Sequence, residues 1–461
     1  MDEETATQSD PSSASLTQQI VSRKHLLTTG AALAGTAAGL AALGPAGTAL
    51  ASSPARVSRA TDVTISMWTH DNLYVKFFLA RAKEWQKQYP QYNFSYNFLQ
   101  VPYADLFTKV LANIAAGSGA PDLVGIEIGA FSRFMKGDIA TKGLVDLTPL
   151  IGSERQKFVE GRWTPYMNKG RIYGVESALC PVGMYYRDDL FQAAGLKAPI
   201  NTYDDLLAAG RIMAKQGKYI LLVPKTDTGL FLELFQQAGG SIFDASGKLT
   251  LDDPRAVRTL EFLVNGAKDK LFWTPPDVYG APAIAALKQG KAACVIMPDW
   301  YAGYYLKPDL KEQKGKWRLQ TMPAWNAGGL RVSTLGGTGF AITKQSKHPE
   351  LAWSLLHYTY MTEKNQVKRF QEIDYFPTMS EAFHDPGVVN LPDAYFGGQK
   401  IGGVFASVAA QVPLQYQSPF WSEATTQLGN EYTNAMLGKK TAAKAIKDAT
   451  TAIAKIMAKG S

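Results

Sequence analysis

Residues 62 to 129 impose the tightest constraint on what this chain can fold into. The segment Asp62 to Trp68, DVTISMW, alternates and is β-branched, and Tyr92 to Val101 and Pro121 to Gly129 repeat an extended pattern. Between them lie two helical patterns. Lys76 to Tyr89 has an apolar side of Phe77, Phe78, Ala80, Ala82 and Trp85 and ends at Pro90, and Tyr103 to Ala116 runs into Gly117-Ser118-Gly119. Strand, helix, strand, helix, strand with right-handed crossovers predicts a doubly wound, mostly parallel sheet. Ligands of such sheets sit beyond the carboxyl ends of the strands, which puts Trp68, Thr69, His70, Asp71, Glu127 and Ile128 at the mouth of a site.

At 461 residues the chain exceeds what one ordinary hydrophobic core supports, so a second lobe is expected. The stretch Tyr173 to Leu196 continues the α/β pattern. Gly174 makes a turn, Val182 to Tyr186 is an apolar strand, and a helix begins near Asp188 or Asp189, where a short carboxylate can cap it, and stops at Gly195. Thr202 and Asp205 then have capping-box spacing. Leu221 to Gly240 and Asp253 to Lys270 read as helices. Ala283 to Leu306 reads as a helix ending at Gly290, a buried strand AACVIM and a turn at Pro298-Asp299-Trp300. Lys316 to Ala324 is expected to be a strand crossing between lobes. Gly328 to Lys344 holds the Gly-rich turn TLGGTGFAIT, Pro349 to Gln366 is a helix, and the chain closes on a helix pair with Thr441 as cap and Ala442, Ile446, Ala449, Ile453 and Met457 on one face.

Three of these phrases carry a resemblance: the Tyr173 to Leu196 stretch, the helix-Gly-Lys-Ala-Ala-strand-Asp-Trp run at Ala283 to Trp300, and GGTGFAITKQSKHPELAWSLLHYT. In that order the chain, over about 60–460, resembles family 1 extracellular solute-binding proteins, the maltose-binding-protein-like sugar-binding components of bacterial ABC importers. The resemblance implies an α/β, two-lobed periplasmic-binding-protein-like fold of type II with discontinuous lobes. Lobe one would be 61–174 and 326–370, lobe two 175–325 and 371–461, joined by a three-stranded hinge. It implies capture of a mono- or oligosaccharide between the lobes and delivery to an ABC transporter membrane permease, by a monomer, with neither cofactor nor catalysis. Onto matching positions it carries ligand contacts at Trp68, Glu127, Asp299, Trp300, Tyr375 and Trp421, with Glu176 facing the gap or bracing the hinge; beside it, the strand-end rule adds Asp71, and the turn Gly336-Gly337-Thr338-Gly339, whose backbone N–H groups face the cleft, adds Gly337.

Targeting is written at the front. Residues 1–51 join a polar leader ending in SRKHLL to an Ala/Leu/Gly stretch and the small-x-small site Ala49-Leu50-Ala51, an export signal followed by a spacer at 52–60. Ser22-Arg23 resembles a twin-arginine start with Lys24 in place of the second arginine. No cysteine follows the apolar run, so attachment through a lipobox cysteine is not expected. The formal charge is +8, and residues 1–51 carry four acids against Arg23 and Lys24, which leaves +10 on the remainder. Its lysines are scattered, so a nucleic-acid groove is not indicated. Cys180 and Cys294 lie in no metal or redox motif, and sequence leaves open whether they pair.

The chain contains none of the hydrolase-elbow, zinc-protease, P-loop or dinucleotide motifs. What it has in quantity is aromatic residues, and Trp68, Trp273, Trp300, Trp325, Tyr375, Phe376 and Trp421 fall at strand ends or turns. A sugar ring offers an apolar C–H face to an indole and hydroxyls to polar groups, so flat aromatics beside Asp, Glu, Asn or Arg suit it. Two other readings stand beside this one. A secreted glycosidase would use Asp299 with Glu127, and a binder of an anionic solute would place Arg133, Arg187, Arg331 or Arg369 in the cleft.

Overall fold

A computed structural model describes residues 60–460, so the expected export signal at 1–51 and the spacer up to residue 59 lie outside the described residues. Two five-stranded sheets organise the chain. The first contains β1 (Thr61–Thr69), β2 (Tyr92–Gln100), β3 (Leu123–Glu127), β6 (Val175–Glu176) and β12 (Thr338–Ile342), in the order β2-β1-β3-β12-β6. The short hairpin of β4 (Met167–Asn168) and β5 (Arg171–Ile172) lies outside both sheets. The second sheet contains β7 (Val182–Arg187), β8 (Tyr219–Leu222), β9 (Phe272–Trp273), β10 (Ala292–Pro298) and β11 (Trp317–Thr321), in the order β11-β7-β10-β8-β9. The fold is therefore the expected α/β, two-lobed arrangement.

In the first sheet β1 pairs in parallel with β2 and β3, as the β-α-β-α-β pattern requires, while β12 arrives antiparallel after the excursion through the second sheet. Alternation along β1 sends Val63, Ile65 and Met67 into a core completed by helices Asn72–Trp85 and Pro349–Tyr360, and Val124 and Ile126 of β3 face the other side, against Leu106, Phe107 and Val110 of helix Tyr103–Ala116. In the second sheet β7 is buried throughout, with Met184 and Tyr186 in one core and Tyr185 in the other.

Local differences from expectation have physical causes. The first helix begins at Asn72, four residues earlier, because the Asp71 carboxylate accepts from Leu73 N at 2.7 Å and caps it. The Thr202/Asp205 capping box forms as expected. The helix Asp188–Ala193 starts where expected without a side-chain cap bond, since Arg187 takes both oxygens of Asp189 at 2.6 and 2.7 Å. Leu221 to Gly240 is not one helix: Tyr219–Leu222 is a strand paired in parallel with β10 and β9, and the helix is Gly229–Gln237. A short apolar run such as YILL satisfies either geometry, and only its neighbours decide. Lys316 to Ala324 does not cross between lobes. Its Trp317–Thr321 part pairs with β7 inside the second sheet. Pro349 to Gln366 is broken into Pro349–Tyr360 and Glu363–Ile373.

The chain passes between sheets around 177–181, 322–337 and 374–378. Val175 and Glu176 still pair with β12, so the first passage begins two residues beyond the expected break at 174. Arg162, 3% exposed, bridges two passages: its guanidinium donates to Leu179 O, to Thr334 Oγ1 and to Gly336 O. Arg369, fully buried, serves the third by donating to Tyr375 O and Phe376 O. Cys180 and Cys294 are both free, buried thiols.

Candidate functional site

The carboxyl ends of β1 and β3 face the start of helix Gly229–Gln237, the turn after β10 and the start of helix Trp421–Met436 across a cleft. Two adjoining cavities fill it, of about 790 Å³ and about 520 Å³, and Tyr103, Glu127, Leu232, Leu335 and Gly336 line both. The volumes lie in the range of small-molecule sites, and each wall comes from a different sheet.

In the larger cavity Trp300 stacks on Tyr279, with ring centroids 6.2 Å apart and planes 29° from parallel. Trp300 is fixed from its edge, since Nε1 donates to Leu335 O at 3.1 Å. Opposite, Tyr375 donates its hydroxyl to Asp71 Oδ2, while Oδ1 of Asp71 is held by the helix cap. Burial pushes the Asp71 carboxyl above its ordinary range, against those hydrogen bonds. Gly337 sits on the floor at φ +121, where a Cβ would come within 2.9 Å of Glu176 Oε2. Glycine alone fits that backbone and that approach.

Glu127 stands where the cavities meet. Its Oε2 accepts from Tyr103 OH at 3.1 Å, Gly129 N at 2.8 Å and Ala130 N at 3.3 Å, and desolvation in the cleft wall pushes the carboxyl up to about 7. In the smaller cavity Trp421 approaches Gly129 so closely that a Cβ there would lie 3.1 Å from its Nε1. The turn after β3 and the start of helix Trp421–Met436 also touch directly beside it: Ser132 and Ser422 hydroxyls are 2.9 Å apart, and Lys136 pairs with Glu423.

Asp71, Glu127, Trp300, Gly337, Tyr375 and Trp421 thus line the cleft, and the remaining expected residues do not. Asp299 is fully buried behind the wall. Its carboxylate accepts from the backbone N–H groups of Trp300 and Phe376, which ties the turn after β10 to the third passage, so its surroundings give it a bracing role in place of the expected ligand contact. Burial raises it to about 7. Trp68 packs against the core beneath helix Tyr103–Ala116. Glu176 is buried between the first two passages, 4.0 Å from Arg162. Trp325 donates to Leu234 O inside the second core, and Trp273 lies under Lys291.

Several cleft residues escaped the sequence reading. Tyr103 follows β2 directly, and the same carboxyl-end rule that picked Asp71 would have found it. Asp227 and Thr228 follow β8, which had been read as helix. Gln236, 6% exposed with an unpartnered Oε1, carried no sequence signal, and neither did Tyr279. His70, which the strand-end rule puts at the mouth, lines the larger cavity, and burial lowers it to about 4, so it is neutral there at physiological pH.

A family model described as bacterial extracellular solute-binding protein matches residues 73–366. The chain belongs to that family. This solute-binding protein is similar to an arabinooligosaccharide-binding protein of Bacillus subtilis, 35% identical over 328 residues that cover 68% of this chain and 73% of that one. It is similar to a lactose-binding protein of Rhizobium radiobacter at 26% over 379 residues, 80% and 86% of the two chains. Among solved structures it superposes on the GacH receptor of Streptomyces glaucescens with a TM-score of 0.72 at 19% identity, covering 86% of this chain and 98% of that one. An ABC transporter associated binding protein from B. animalis subsp. lactis, in complex with beta-1,6-galactobiose, gives 0.71 at 23% identity, covering 86% and 96%. The solute-binding protein therefore shares the two-lobed fold of these proteins.

Proposed function

We propose that this solute-binding protein, once exported, captures a short oligosaccharide between its lobes and passes it unchanged to an ABC transporter permease. The observation that carries the reading is the Trp300–Tyr279 stack from the second sheet facing the Asp71–Tyr375 pair from the first across one cavity. An aromatic plate opposite hydrogen-bonding groups is what a pyranose or furanose ring requires. Arabinooligosaccharides are the first class to test, because the similar Bacillus subtilis protein is named for them. Trp421 and Glu127 extend the contact surface into the second cavity, and Gly337 lets the floor approach the ligand.

In this reading the lobes run about 61–176 with 338–373 and about 182–321 with 379–460, the three passages lie between them, and Glu176, beside Arg162, sits at their hinge. A ligand touching both walls stabilises the closed arrangement by its difference in affinity for the two states. Bond cleavage has little support, since Asp299, the partner a glycosidase would need beside Glu127, is held by backbone N–H groups away from the cleft. Retention at the cell envelope does not run through a lipobox cysteine in this reading. Incubation with arabinotriose followed by chromatography tests capture against hydrolysis: the sugar returns at full length while the melting temperature rises, and shortened products would overturn the proposal.

A further inference from the structure

The charges that line the cleft are uneven in a way that bears on which saccharides it admits. From the first sheet come Asp71 and Glu127, and from the second comes Asp227. Asp227 Oδ1 accepts from Gly229 N at 2.7 Å, and its other oxygen makes no hydrogen bond among the described residues. All three bonds to Glu127 converge on Oε2, which leaves Oε1 for a donor from the ligand. Behind Asp227 stand Asp277, whose Oδ1 is taken by Tyr279 N and Gly280 N, and Glu233, fully buried with neither carboxylate oxygen partnered.

Cations do not balance this wall. Among the described residues no lysine lines either cavity, and Arg133 is the single arginine that does. Arg187 is bound to Asp189, Arg331 donates to Met322 O, Ile200 O and Asn201, and Arg162 and Arg369 are spent on backbone carbonyls of the passages. His70 is neutral.

Resting on the saccharide reading above, we propose that the cleft admits uncharged sugars and rejects acidic ones, with Asp227 setting that preference from the second lobe. A hydroxyl donates to a carboxylate oxygen at no electrostatic cost, whereas a ligand carboxylate can only accept and meets like charge from both walls. The basic exterior then governs long-range approach without governing selection.

A matched pair isolates charge from shape: arabinotriose with one terminal primary alcohol oxidised to the carboxylate, and the carboxamide of the same acid. Calorimetric titration at low salt and at a pH above about 8, where the raised Glu127 carboxyl is ionised, is expected to find the amide within about tenfold of unmodified arabinotriose and the acid at least 100-fold weaker than the amide. Asp227→Asn, shown folded by its melting curve, is expected to narrow the gap between acid and amide at least tenfold, whatever the change in the amide's own affinity. Equal binding of acid and amide overturns the proposal, as does loss of both while arabinotriose still binds, or an unchanged acid-to-amide ratio in Asp227→Asn. If arabinotriose itself gives no heat, the saccharide reading fails first and this inference goes with it.

Discussion

Tyr375 and Asp71, 304 positions apart in the chain, are joined by a hydrogen bond from the tyrosine hydroxyl to the carboxylate on the cleft wall. The same carboxylate caps the helix Asn72–Trp85 through its other oxygen, so one side chain ends a strand turn, starts a helix and meets the residue that follows the last helix of the first lobe. Tyr375→Phe leaves the packing and removes the donor. It is expected to weaken saccharide binding about tenfold, and to cost about 1–2 kcal/mol of stability because a buried carboxylate oxygen loses its partner. Calorimetric titration and urea denaturation read the two effects separately.

Trp300→Ala removes the plate that stacks on Tyr279 and the bond from Nε1 to Leu335 O. Loss of an aromatic stacking face and its buried area predicts at least a tenfold loss of affinity with an intact fold by circular dichroism. Retained affinity would mean that the ligand does not lie on this wall.

Arg162→Met deletes the guanidinium that joins the first two passages and leaves Glu176 buried without its nearest positive charge. Breaking a buried pair from one side predicts destabilisation of about 3–5 kcal/mol. Arg162→Met combined with Glu176→Gln is expected to recover part of that loss, which denaturant midpoints would show.

Gly337→Ala adds a Cβ at φ +121 and within 2.9 Å of Glu176 Oε2. Backbone strain and the clash together predict a loss of about 2–4 kcal/mol, measured as a lower denaturant midpoint with the slope unchanged.

Stability should fall as the pH rises toward 8, because the raised Asp299, Glu127 and Glu233 carboxyls outweigh His70, whose value lowered to about 4 acts in the opposite sense up to about pH 6.5. Burial raises Asp299 to about 7 and Glu233 well above the carboxylate range, with the Asp227 charge adding to the latter. A carboxyl whose folded pKa lies above its unfolded one contributes fully below the unfolded value and progressively less as pH climbs through the folded value, because only the unfolded chain ionises freely. For Asp299 the window runs from about 4 to about 7. Glu233→Gln should flatten the profile, and a stability that rises from about pH 6.5 to about 8 would contradict the assignment.

Much of the fold was legible because period and punctuation agreed. DVTISMW alternates cleanly, Tyr103 to Ala116 ends at a glycine of positive φ, and Thr202 with Asp205 forms its box on spacing alone. What failed depended on neighbours far along the chain. YILL became a strand because β10 and β9 flank it, and Lys316 to Ala324 stayed in the second sheet because β7 had an open edge there. The cleft was legible where it follows a recognised strand, as at Asp71 and Glu127. Asp299 was placed in the right turn, yet whether its carboxylate faces ligand or backbone is set by Phe376, and no local pattern encodes that contact. Gln236 and Tyr279 reach the cleft only through the packing of their lobe.

The central claim is that a sugar binds between the lobes and draws them together. Small-angle X-ray scattering of the protein with and without arabinotriose, at a few times the wild-type Kd, tests it most directly: the account predicts a smaller radius of gyration with the sugar in the wild type and a clearly smaller contraction in Trp300→Ala at the same sugar concentration. An unchanged or larger radius in the wild type, with binding verified by calorimetry on the same sample, would contradict it.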